Sequence, residues 1–597
     1  MTVDPMTFAD TDAIAARWAS FEAQPAGIDR VATLKDAVAR HVRPGDTLYF
    51  GGSMARPNAA MFEVARQFWS RDPGFTLAAP AIANQHAPLI RAGLVKKVIA
   101  SIHALTFPTP APHPVYVQAA RDGSVTFESW SLLTLKQRLM AAALGLPFMP
   151  TGSLTGSDMA AELAATAQVA TLDNPFGDEP ATVVAPLAPD VTFVHALAAD
   201  RFGNAIICPP FYDGAWAAFA ARRAVIITAE RIVGDDFISR YSHQVQIPGH
   251  CVAAVCEVPL GGHPNSLPGD AVPEVPGYPD DYAFLEDLRH AGKTPEALDR
   301  WSQEWILGCD SHEAYLAKLG ADRLHALRGR RAKDGWRLEW PELAGPAAAR
   351  VSSENERHAI LAARVLRKRL RSGELSCILA GLGISSLAAW MASLLERQDG
   401  HNVPLMVEAG MFGYVPSPAD PFLFNYRNMS GGLMETDALT TLGVLTGGPR
   451  NRAVGVLGAA QVDRAGNLNT SKLPDMLLTG SGGANDIGSG ASEVLVTMAH
   501  SPRRLVEAVH FITTPGRAVR TIVTELGVLE RRGGDGEFEL SRVLARDGHS
   551  KADLIALAVA RTGWALAVAE DVRLEPAPEA EEISLARQLD PKGLFLG

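Results

Sequence analysis

The residues best suited to chemistry fall in one stretch, LSCILAGLGISS, then a helical run, then PLMVEAGMFG. Residues 375–380 read as a buried strand, 381–386 as a glycine-containing loop, 387–397 as a helix and 403–407 as a second apolar strand. That second strand ends in Glu408-Ala409-Gly410. Three readings of Glu408 follow. It is a solvated acid at a strand end, as most glutamates are. It is the ribose-binding acid of a dinucleotide site, since Gly381-x-Gly383-x-x-Ser386 follows a strand and opens a helix upstream of it, although serine replaces the third glycine. Or it is a nucleophile in the crevice beyond the carboxyl ends of parallel strands.

The third reading makes specific chemical demands. A glutamate with an ordinary pKa near about 4.3 is ionised at neutral pH and needs no partner base. Carboxylates attack esters and amides poorly. A thioester is a milder target, because the anhydride formed is of similar reactivity. The protein must then supply positioning and backbone N–H donors for the developing oxyanion. The loop holding Gly381, Gly383 and Ser385, just before a helix, is a source of such donors. The small residues Ala409 and Gly410 leave room for a bulky substrate.

Other candidates compete less well. Glu128, in TFESW, follows a short β-like run and precedes a helix, which suits an acid at a helix N-terminus. Cys377 lies inside an apolar strand and reads as core. The 16 histidines show no HExxH spacing. Asp463 and Asp486 sit in turn-forming sequence and read as structural. Five scattered cysteines without a CxxC pair argue against a disulfide framework and a structural zinc site, so no metal is expected.

Positioning such a site takes strands and helices in alternation, and both halves of the 597-residue chain show them. The halves also resemble each other in order. RPGDTLYFGG (43–52) answers RSGELSCILAG (371–381), DRFGN (200–204) answers DRAGN (463–467), and IPG (247–249) answers TPG (514–516). The offsets imply an insertion of about 65 residues in the first half between its first and second motifs. Residues 328–355 lack sustained periodicity and read as a linker. A duplicated α/β protein with its site between the halves follows. With 47% apolar and 20% charged residues the composition is globular, and the net charge of −11 argues against nucleic acid or an anionic membrane as partner. A local basic pocket for a small anion stays compatible with it. Residues 1–30 carry no basic segment leading into an apolar core, which points to the cytoplasm.

Many segments together resemble family I CoA-transferases of the glutaconate CoA-transferase type, with large and small subunits fused. The first half does so through TLKDAVARHVRPGD (33–46), AAMFEVARQ (59–67), AAALGLPFMP (141–150), IPGHCVAAV (247–255) and HEAYLAKLGADRL (312–324). The second does so through VEAGMFG (407–413), GAAQVDRAGNLNTSK (458–472), GSGGAND (480–486) and FITTPG (511–516). The resemblance implies an N-terminal extension (1–30), a large-subunit-like domain (31–327), the linker, and a small-subunit-like domain (356–597), with two related, largely parallel sheets flanked by helices. It implies that Glu408 forms acyl-glutamyl anhydride and glutamyl-CoA intermediates in a ping-pong exchange between an acyl-CoA and a carboxylic acid. Coenzyme A is then a substrate, and no metal takes part. The loop of Gly381, Gly383 and Ser385 would form the oxyanion environment, although the family commonly has Gly-x-Gly-Leu-Pro there. Ala409, Gly410, Gly482, Gly483 and Asn485 would line the approach of substrate or CoA.

The same resemblance leaves a related CoA-thioester hydrolase as the alternative. In such relatives an acid from the first subunit works instead, but residues 101–114 hold no carboxylate while Glu408 is present. A non-catalytic CoA- or nucleotide-binding protein is the alternative from another class. The acyl group and assembly as a homo-oligomer stay open.

Overall fold

The computed structural model describes residues 10–22, 27–51, 54–330, 333–533 and 536–597. Gly52 and parts of the expected N-terminal extension and linker lie outside them. Two large sheets dominate. The first orders seven of its eight strands as Ala254–Glu257, Ala224–Val233, Val191–Asp200, Thr47–Phe50, Phe75–Ile82, Val95–His103 and Thr126–Ser129, all parallel, while Ala205–Ile207 pairs antiparallel with Val191–Asp200. Every residue of Val191–Asp200 is buried, as expected of a parallel strand covered on both faces.

The second sheet has ten strands, with parallel pairing through Leu405–Val407, Cys377–Ala380, Ala453–Gly458, Glu493–Thr497 and Val519–Val523. Hairpins and an edge strand extend it on either side. These five strands repeat the order of Phe75–Ile82, Thr47–Phe50, Val191–Asp200, Ala224–Val233 and Ala254–Glu257. The duplication read from sequence is therefore a duplication of topology.

The recurring DRxGN and PG motifs have one physical cause. Asp200 accepts the N–H groups of Phe202 and Asn204 (both 2.9 Å) and the Asn204 amide (2.6 Å). Asn204 Oδ1 then accepts Gly249 N–H at 2.8 Å. In the second half Asp463 accepts Ala465 N–H, Asn467 N–H and the Asn467 amide, and Asn467 Oδ1 accepts Gly516 N–H at 2.9 Å. Each aspartate closes its turn, and each asparagine ties that turn to the short helical turn (Gly249–Cys251, Gly516–Ala518) that leads into Ala254–Glu257 or Val519–Val523.

The first half's extra chain, roughly sixty residues between Ile82 and Val191, forms the joint with the second half. Ile102 bridges Gly480, His103 N–H donates to Thr479 O at 3.1 Å, and Leu132 N–H donates to Gly482 O at 3.1 Å. Asp158 and Ile512 exchange two hydrogen bonds.

Two elements differ from the sequence reading. Residues 328–355 carry a helix, Trp336–Ala349, despite Pro341 and Pro346, and Arg427 pairs with its Glu339 at 2.6 Å. The helix expected at 387–397 spans Ile384–Gln398, so Ser385 belongs to its first turn and not to a loop. Among the described residues no helix is long and apolar enough to cross a membrane, and the five cysteines are free thiols.

Candidate active site

Glu408 follows directly on Leu405–Val407, where the chain reverses into Met411–Tyr414. The reversal requires a glycine: Gly410 has φ +115°, and a Cβ there would collide with Thr436 O. Gly410 N–H donates to Val407 O (3.1 Å), and its own carbonyl accepts Thr436 N–H (2.7 Å). The half-buried Glu408 is thereby held at the tip, and Thr441 Oγ1 pins its backbone carbonyl at 3.0 Å. Its carboxylate accepts Gly483 N–H at 3.1 Å. A Cβ on Gly483 would collide with that same oxygen.

Neighbouring charges set the protonation of this acid. Burial pushes Glu408 up to about 7 and Asp486 adds to the rise, while Lys136 and the Gly483 N–H oppose it. The expectation of a fully ionised glutamate is thus corrected: desolvation leaves it on the edge of protonation at neutral pH. Lys136 lies on Leu132–Ala143, within the first half's extra chain, and is fully buried. Its ammonium sits over the Tyr212 ring at 4.2 Å. Burial pulls it down to about 8, against the pull of Asp213, Glu408, Asp486 and Asp437. Asp486, raised to about 6 by burial, accepts Leu133 N–H at 2.9 Å.

The glycine loop stands beside Glu408. Cys377–Ala380 pairs in parallel with Leu405–Val407, and carrying that register on sets Gly381 next to Glu408. Gly381 N–H is committed to Val456 O (2.8 Å) and cannot serve as an oxyanion donor. Gly383, at φ +84°, caps the following helix. Among the described residues the amides of 382–385 have no hydrogen-bond acceptor, as first-turn amides commonly do not. The buried Ser385 hydroxyl pairs with Thr497 Oγ1 at 2.8 Å, so only its backbone faces this task.

Gly483 thus contacts the Glu408 carboxylate directly, and the register sets Gly381, at the head of the 382–385 segment, beside it. The other sequence candidates hold the halves together. Ala409 is fully buried and its carbonyl accepts Tyr212 N–H at 3.1 Å. Gly482 accepts Ser101 Oγ at 3.0 Å. Asn485 is fully buried, accepting Leu154 N–H (2.8 Å) and donating to Thr513 O (2.9 Å). Glu128 lies within a strand and not at a helix start. Burial raises it, but Lys97 (2.6 Å), Trp130 (2.8 Å) and Arg138 (3.2 Å) outweigh that and hold it below its usual range. Lys136, Tyr212 and the role of Asp486 escaped the sequence reading. The one signal was that Lys136 lies within the insertion.

The sequence model for the coenzyme A transferase family matches residues 31–258 and 362–537, most of the chain. This chain belongs to the coenzyme A transferases. The A subunit of glutaconate CoA-transferase from Acidaminococcus fermentans is 32% identical over 316 residues, covering 50% of this chain and 95% of that one. The B subunit of 3-oxoadipate CoA-transferase from Pseudomonas knackmussii is 33% identical over 266 residues, covering 40% and 94%. These relatives are opposite halves of two-subunit enzymes, so this transferase carries both kinds in one chain. The acyl-CoA transferase YdiF of Escherichia coli O157:H7, solved as a thioester complex with CoA, shares the fold over both halves: TM-score 0.62, 16% identity, 92% of this chain and 96% of that one. The protein is a CoA-transferase, an enzyme that moves CoA between an acyl-CoA and an acid.

Proposed function

We propose that Glu408 is the nucleophile of this transferase and that CoA moves through it by a ping-pong route. The observation that carries the reading is the placement of one half-buried carboxylate at the joint of the two halves, held by Gly483 N–H beside amides of the 382–385 segment that lack acceptors. Glu408 attacks the thioester carbonyl, the C–S bond breaks, and CoA leaves as thiolate from a mixed anhydride. The thiolate attacks the glutamyl carbonyl and expels the donor acid as its carboxylate, leaving glutamyl-CoA. An acceptor carboxylate attacks this thioester, and the released thiolate takes the acceptor acyl group and frees Glu408. Charge balances at each step without a net proton.

In this reading the Gly383 and Ser385 amides stabilise the oxyanion, and Gly381 shapes the turn before them. Lys136 keeps a usable fraction of Glu408 ionised despite its burial. Gly482 and Asn485 hold Gly483 in place, and Ala409-Gly410 present the nucleophile. The halves 31–327 and 356–597, joined through 328–355, each form one wall.

The test is incubation with a panel of acyl-CoAs, trapping with borohydride or hydroxylamine, and peptide mapping. A CoA-dependent modification at Glu408 is expected, and its absence with every donor refutes the proposal. Glu408→Gln should abolish transfer while acyl-CoA still binds. A protein that merely binds CoA would be indifferent to that change.

A further inference from the structure

Tyr212 holds a backbone conformation that costs energy: φ is +56°, a region in which a bulky side chain is rare. The second half enforces it. Tyr212 N–H donates to Ala409 O at 3.1 Å, its carbonyl accepts Ala438 N–H at 2.8 Å, and Phe211 N–H donates to Thr436 O at 2.8 Å. A loop of the first half is thus sewn to the two segments that frame the reversal after Glu408.

What the strain delivers is a seat for the Lys136 ammonium. That group is fully buried, yet among the described residues no carboxylate lies within 4.0 Å of it, and its hydrogen bond to Leu132 O is long, at 3.5 Å. The Tyr212 ring takes it at 4.2 Å from Nζ to the ring centroid. A ring face attracts a cation most strongly when water is excluded. The next residue, Asp213, is fully buried and pulls harder on Lys136 than Glu408, Asp486 or Asp437 does. Asp486 bears on Glu408 as well as on Lys136, which sets Asp213 apart as a partner of the cation. Asp213 is itself held: the Tyr49 hydroxyl donates to its Oδ2 at 2.6 Å, and a Cβ on Gly51 would collide with that oxygen. Tyr212 also lines the cavity that Phe50 and Pro80 border at the end of the first sheet's central strands.

We propose that Tyr212 and Asp213 are positioning residues of the transfer reaction: the ring face and the carboxylate seat the Lys136 ammonium at the place from which it acts on Glu408. The first half then supplies both the cation and its seat, and the strain at Tyr212 is kept because it turns the ring to the ammonium. The inference rests on the Glu408 reading, and the experiment separates the two.

The experiment is a set of double-mutant cycles, read as kcat and KM with whichever donor of an acyl-CoA panel turns over fastest, and as unfolding in urea. At pH 6 Tyr212→Leu should lower kcat roughly threefold to tenfold with KM unchanged, the ceiling being the loss of Lys136 itself. Tyr212→Phe keeps the ring face and should stay within about twofold of wild type. Asp213→Asn, which keeps the shape, should fall between the two, and it carries the same cycle should Tyr212→Leu fail to fold. In Lys136→Met none of these changes should slow transfer further, because the cation they seat is gone. Losses as large in Lys136→Met as in the wild-type chain overturn the proposal, as does a Tyr212→Phe enzyme as slow as Tyr212→Leu. Coupling of Tyr212 to Lys136 in unfolding but not in kcat also overturns it, because the contact is then structural alone. A CoA adduct on Glu408 without the kinetic coupling removes the seat and leaves the Glu408 reading standing. Kinetic coupling with no adduct on Glu408 from any donor upholds the seat and overturns the Glu408 reading.

Discussion

Replacing Lys136 with methionine tests whether a buried cation keeps the proposed nucleophile, Glu408, usable. The two side chains have similar volume, so packing over the Tyr212 ring is retained while the charge 4.2 Å above it is lost. Glu408 sits at about 7 with Lys136 holding it down, so at pH 7 about half is ionised. Removing an opposite charge from a buried acid raises its pKa by roughly one to three units. Taking about one unit, the ionised fraction at pH 7 falls to about a tenth, and adduct formation slows about fivefold. At pH 6 the deficit grows to about tenfold. Above pH 9 the rates converge, because Lys136, at about 8, is itself neutral in the wild type. The assay is quenched-flow mass spectrometry of the CoA adduct across pH 5.5–9.5, values chosen to bracket both groups. An acidic limb that stays where it was, or moves to lower pH, would refute the electrostatic coupling, whatever happens to the overall rate.

Other outcomes follow from the same geometry. Gly483→Ala, whose backbone lies in the ordinary helical region, should fold normally yet push the Glu408 carboxylate aside and slow adduct formation by about 100-fold, read alongside an unchanged melting curve. Glu408→Gln should stabilise the protein at pH 8 by roughly 1–3 kcal/mol in urea titrations. The raised carboxyl favours the folded state fully below about pH 4.5 and loses that contribution as pH rises through about 7, so the gain should vanish near pH 4. A gain that is constant with pH would contradict the burial argument. Asn204→Ala and Asn467→Ala should each cost about 1–3 kcal/mol by denaturant unfolding, since each leaves a glycine N–H unpartnered and removes an amide bond to the turn aspartate. A large loss at one site and none at the other would show that the matching motifs are not matching joints.

Local signals in the sequence carried the duplication and the parallel sheets, whereas the residues around Glu408 left three readings open and the proposed one came from the family resemblance. The Asp-Arg-x-Gly-Asn turns and the Pro-Gly steps are short and self-sufficient, so they read clearly. The helix starting at Glu354 was announced by Ser353-x-x-Glu356, with the Ser353 hydroxyl accepting Glu356 N–H at 3.0 Å, a capping pattern inside the expected linker. Ser385 and Ser386 disguised the first turn of the helix at Ile384, because serine favours caps and loops. Lys136 meets Glu408 only because the halves dock, and Asp486 reaches it only through the packing of the second half, so no local pattern encodes either neighbour.

The repeated strand order has a further consequence. One ancestral layout is used twice, but only one copy ends in Glu408, the proposed nucleophile, and the other ends in a hollow lined by Pro80 and Phe50. On the proposed reading, bond-making is lodged in one copy alone, and the matching strand end of the other is left open. A change around Phe50 or Pro80 would leave the strand end that carries Glu408 untouched, so one copy is free to vary while the other is held.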